Sequence, residues 1–108
     1  MTKVNILGTE YTYREDDLNN PDLALNDGIC FIGDKEIVVR HKEFMNGATE
    51  KSREYRYRHV IRHELIHAFA EESGVSYGDN EKLVDWIAHM IPYINKAVYT
   101  IEMQENHK

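Results

Sequence analysis

Residues 58–74, RHVIRHELIHAFAEESG, decide how the chain folds. Ile61, Leu65, Ala68 and Phe69 recur at helical spacing and can bury one side of a helix, and Gly74 supplies a left-handed stop. Within the stretch, HELIH (residues 63–67) puts two histidines four apart with a glutamate directly after the first. On a helix, residues four apart share a face and stand about 6 Å apart along the axis, so His63 and His67 can turn their imidazoles to one point. Glu64 lies about 100° further round, at the edge of that face. Two histidines and an acid on the inner face of a core helix would be costly to desolvate without partners.

Upstream of this helix the pattern is that of strands. KVNIL (3–7) and YTYRE (11–15) alternate around a tight turn, and GICFIG (28–33) and EIVVRH (36–41) are β-rich runs separated by Asp34-Lys35, a hairpin signal. Residues 16–27, DDLNNPDLALND, read as a loop with one helical turn around Leu23–Leu25. Thr49 or a neighbour can cap the first helix, which runs to about Ser73. A second helix is expected from near Asp79, capped by that residue, with a stripe of Leu83, Ile87, Met90, Ile91, Ile94, Val98 and Ile101, and kinked or split at Pro92. Strands first and helices after them predict an α+β fold, with a small antiparallel or mixed sheet packed on the histidine-bearing helix.

The chain has 108 residues, 42% apolar and 30% charged, which suits a single domain spanning 1–108. The net charge of −6 and the lack of a dense basic stripe argue against nucleic acid as a partner. The one locally basic segment, with Arg53, Arg56, Arg58 and Arg62, reads as a solvated helix face. No apolar run approaches membrane-spanning length and no signal-peptide pattern opens the sequence. With Cys30 as the sole cysteine, a cytoplasmic setting is expected.

Neutral imidazole is a preferred zinc ligand, and a catalytic zinc site takes three protein ligands with one position left open. A carboxylate beside water acidified by the metal can act as general base, the role open to Glu64. The third ligand must come from elsewhere, and Glu81 and Asp85, again four apart, share a face at the start of the second helix. A short connection makes the two helices antiparallel, placing Glu81 opposite His67 and Asp85 opposite His63. A longer turn would put Asp85 level with His67, so spacing leaves the two roles exchangeable.

HELIH followed by NEKLVD (80–85) resembles the gluzincin pattern of metallopeptidases, H-E-x-x-H with a later Glu-x-x-x-Asp. The thermolysin-like form, Asn-Glu-x-x-Ser-Asp, is matched at Asn80, Glu81 and Asp85, with Val84 in place of Ser and a tighter gap from His67. The segment also resembles small phage-encoded metallopeptidases of the ImmA/IrrE type, over residues 59–95. The resemblance implies a minimal zincin-like fold and one zinc ion held by His63, His67 and Glu81. It also implies Glu64 as general base and Asp85 as partner to His63, with Asp85 the alternative third ligand. The implied activity is hydrolysis of a peptide or protein substrate, lying along the edge strand supplied by GICFIG or EIVVRH. The alternative is a catalytically silent zinc-binding module that binds a protein partner without cutting it.

Tyr77, Tyr93, His89 and His107 could stabilise an oxyanion but read more simply as packing or surface residues. His41 and His59 are taken to fit no ligand spacing with the pair and to be surface or satisfied polar residues. Cys30 is expected to be a small buried strand residue, and Trp86 and Met90 to be core.

Overall fold

The structure is a computed structural model that describes residues 2–16, 23 and 26–106. It is α+β: strands β1 (Thr2–Ile6), β2 (Thr9–Asp16), β3 (Gly28–Phe31) and β4 (Glu36–Arg40) are followed by helices α1 (Glu50–Ser73) and α2 (Glu81–Glu105). Short 3-10 turns at Lys42–Phe44 and Ser76–Asp79 lead into the two helices. The expected turn around Leu23–Leu25 lies outside the described residues except for Leu23, which is buried.

Leu7 and Gly8 join β1 to β2 with φ of 51° and 94°, the doubly left-handed backbone that suits the strands' twist, and Asn5 Oδ1 accepts from Gly8 N at 2.8 Å. The sheet order is β1-β2-β4-β3. β1–β2 and β3–β4 are antiparallel, whereas β2 and β4 run parallel with Thr12 opposite Glu36, so the sheet is mixed. This corrects one expectation. EIVVRH is an interior strand and offers no edge; of the two candidates, β3 does, on the side away from β4. Ile37, Val38, Val39 and Arg40 are all buried, so both faces of β4 are covered.

Ile6, Tyr11, Ile37 and Val39 from the sheet pack with Met45 and with Val60 and Ala68 of α1. Thr49 caps α1 through a reciprocal arrangement with Ser52, and Gly74 (φ 76°) ends it. Glu72, in its last turn, accepts from Thr9 Oγ1 at 2.8 Å, Tyr11 Oη at 2.7 Å and Lys35 Nζ at 2.8 Å. One carboxylate thus ties the end of α1 to both hairpins.

α2 starts one residue later than expected. The 3-10 turn takes up Asp79, and Asn80 becomes the cap, its Oδ1 accepting from Leu83 N at 3.1 Å. Nor is α2 split at Pro92; it runs unbroken to Glu105. Proline cannot donate to the carbonyl four residues back, that of Ala88. Arg62 Nε of α1 fills the gap, donating to Ala88 O at 3.0 Å. Val84 and Ala88 are buried, but the far half of the expected stripe is not: Ile94, Val98 and Ile101 are 55%, 48% and 61% exposed. α1 begins at Glu50 and gives that half little to pack against. Trp86, expected in the core, is likewise exposed.

Three donors hold the Glu72 carboxyl down at about 2, first Lys35, then Tyr11 and Thr9. A depressed acid stabilises the fold above its unfolded pKa, about 4.3, and that contribution fades as pH falls toward 2. Glu72→Gln should therefore lower the melting midpoint at pH 7, with the gap to the parent closing by pH 2–3. Melts giving an equal gap at both pH values would contradict this.

Candidate metal centre

α1 carries His59, His63 and His67 at successive four-residue steps, and α2 answers with Glu81 and Asp85 at the same step. Between Gly74 and Asn80 the chain reverses in one short turn, so the two series interleave. His63 Nε2 lies 2.9 Å from Glu81 Oε2, and His67 Nε2 lies 3.0 Å from Glu81 Oε1. His63 Nδ1 lies 3.3 Å from Asp85 Oδ1, and His59 Nε2 is 2.7 Å from the same oxygen. Each carboxylate thus sits between two histidines, half a step from the one-to-one facing expected. The rings of His63 and His67 are 5.1 Å apart, centre to centre.

Two sets of donor atoms are close enough to hold a cation: His63, His67 and Glu81, and His59, His63 and Asp85. In the first, both histidines present Nε2, while the Nδ1 of His63 is turned to Asp85. This is the chemistry zinc favours: two imidazole nitrogens, one carboxylate, and an outer carboxylate fixing a ring's orientation. Both imidazoles are mostly covered, and the two acids come from the exposed side.

Glu64 is buried, 7% exposed, on the sheet side of the same turn. Burial pushes its carboxyl up to about 7, His63 opposing and Glu81 adding to the rise. An acid tuned near neutrality is suited to taking and returning protons. Two adjoining clefts of about 420 Å³ each meet here, both lined by Asn26, Gly28, His63, Glu64 and Glu81. The first extends toward Asp27, Arg56 and Asp85, the second along Ile29, Cys30 and Ile32 of β3 and the loop that follows it. Together they run beside the unpaired edge of β3.

That closeness depends on Gly28. A Cβ there would fall 2.6 Å from Val60 Cγ1 and 3.1 Å from Glu64 Cγ, inside contact distance. Only glycine lets the strand start lie directly on α1 above Glu64.

The structure brings His63, His67, Glu81, Asp85 and Glu64 together. Tyr77 and Tyr93 line neither cleft, His89 packs on Tyr93 and meets Tyr55 Oη through Nδ1 at 3.2 Å, and His107 is outside the described residues. His41 lies 3.5 Å from Glu15, away from the cluster. Cys30 is half-buried in β3, its thiol pushed up to about 12 by burial. His59 is a satisfied polar residue, one of the two readings given for it, but the expectation that it fits no spacing with the pair is corrected. It is neither on the surface nor outside the spacing: it precedes His63 by the four residues that separate His63 from His67, and it is buried against Asp85. Comparison of the chain with protein-family models, curated proteins and solved structures gives no match.

Gly28→Ala should cost about 1–3 kcal/mol, the usual range for overpacking, measured by denaturant unfolding. Because the closest clash is with Val60 Cγ1, adding Val60→Ala should recover part of the loss rather than add to it. Fully additive losses would count against this reading.

Proposed function

We propose that the chain is a zinc-dependent peptidase of the gluzincin type, hydrolysing a peptide bond in an extended segment of a peptide or protein. The observation that carries the reading is the approach of His63 Nε2 and His67 Nε2 to the two oxygens of Glu81, at 2.9 and 3.0 Å, beside a buried Glu64. His63, His67 and Glu81 would hold one ion, and three protein ligands leave a position open. Zinc bound there would supply Lewis-acid polarisation of a carbonyl and acidification of water.

The chain's own residues account for the rest. With Asp85 accepting from His63 Nδ1–H, Nε2 would keep its lone pair for a cation. Glu81 takes the third-ligand role over Asp85 because it reaches both histidines at Nε2, whereas Asp85 meets His63 through the other nitrogen. Glu64 removes a proton from the attacking water and delivers it to the leaving amine. The edge of β3 can pair with an extended backbone, laying it across the clefts above Glu64. Among the described residues no helix is long and apolar enough to cross a membrane. An intracellular setting, where Cys30 stays reduced, belongs to the same reading.

After chelation and reloading, the purified chain should take up one zinc per molecule and cleave members of an extended-peptide library. Glu64→Gln should keep the zinc and lose about 10²–10⁴-fold in turnover. His67→Ala should lose the zinc. Unchanged turnover in the Glu64 variant would remove its role as base. Stoichiometric zinc with no cleavage of any library member would favour the silent binding module.

A further inference from the structure

Asp85 has a side chain 60% exposed, so on its own its carboxylate would be solvated and free to rotate. Two imidazoles from successive turns of α1 hold it instead, both at Oδ1: His59 Nε2 at 2.7 Å and His63 Nδ1 at 3.3 Å. His59 is 8% exposed and has the ring of His89 edge-on at 6.2 Å, so it has little room to turn. Building on the metal-centre reading above, we propose that His59 is a positioning residue. Through Asp85 it fixes the orientation of His63 and holds α2 in the register that brings Glu81 to the ligand pair.

A carboxylate oxygen has two acceptor sites, so Oδ1 can take both N–H groups at once. The bond to His63 requires the proton on Nδ1 and frees Nε2 for a cation. The bond to His59 requires a proton on Nε2, so His59 faces Asp85 as a donor. Glu81 lies one turn before Asp85 on the same helix, and pinning one sets the height and rotation of the other.

His59, His63 and Asp85 also form a set of donor atoms compact enough for a cation of their own. His63 decides between the two roles, because it belongs to both sets and faces the first through Nε2 and Asp85 through Nδ1. The 2.7 Å between His59 and Asp85 is the length of a charge-assisted hydrogen bond. A second ion would need the Nδ1 lone pair of His63, which its bond to Asp85 replaces with a proton.

The test uses the full chain, freed of metal and refilled with zinc or cobalt(II). Chelator competition gives affinity, and the cobalt absorption spectrum reports the ligand set. His59→Ala should bind zinc about 10–100-fold more weakly, still at one equivalent and with unchanged cobalt bands, because the ligands are intact. His59→Gln, whose amide N–H can still donate to Asp85, should recover most of the affinity. Melting midpoints of the metal-free proteins separate this from general loss of fold. Should the alanine variant not fold, His59→Leu against His59→Gln gives the same contrast at similar bulk. Unchanged affinity in His59→Ala, equal weakening in the glutamine variant, or a second zinc equivalent that disappears with His59 would each overturn the assignment. A parent chain that takes up no metal would overturn the metal-centre reading itself, and this inference with it.

Discussion

The interleaving of three imidazoles with two carboxylates along the seam between α1 and α2 is the constraint on which the site depends. Both helices repeat their polar groups every four residues, so one good alignment makes all the others. Glu81 falls between His67 and His63, and Asp85 between His63 and His59. A slip of one residue along α2 would rotate both acids about 100° away together. The alignment has reinforcement one turn further on, where Arg62 takes the Ala88 carbonyl that Pro92 leaves without its helical donor. A proline that would ordinarily weaken a helix thus gives the second helix a specific bond to the first.

The sheet contributes mainly through its placement. Its packed face meets α1 through Ile37, Val39, Val60 and their neighbours, and the mixed order leaves β3 at the rim, starting directly above Glu64. The acid is thereby buried between strand and helix while its histidine neighbours face the second helix. One turn of α1 thus supplies two environments, an apolar one that raises the carboxyl and a polar one that gathers cation donors.

Much of this was legible in the sequence because it is local. The cap at Thr49, the stop at Gly74 and the four-residue spacings follow from backbone preference and helical period. What was not legible depended on pairing at a distance. The parallel match of β2 with β4 joins strands separated by another strand, and nothing in EIVVRH itself distinguishes an interior strand from an edge. Trp86 and the stripe from Ile94 to Ile101 look like core by periodicity, but whether they are covered depends on where α1 begins. His59 is a different case, since a satisfied polar residue is one of the two readings its sequence allows. Its spacing was in plain view, yet its partner is an acid on another helix, and only the fold shows the two sharing Oδ1 with His63.

From Pro92 to Asn106 every residue of the α2 arm is exposed. Thirteen residues of helix, 93–105, reach about 20 Å, and the radius of gyration is 15.6 Å against about 13 Å for a compact chain of this length. Such an outline adds drag. The protein should therefore elute from a sizing column ahead of its 12.7 kDa mass, and a monomer calibrated against spherical standards would be mistaken for something larger.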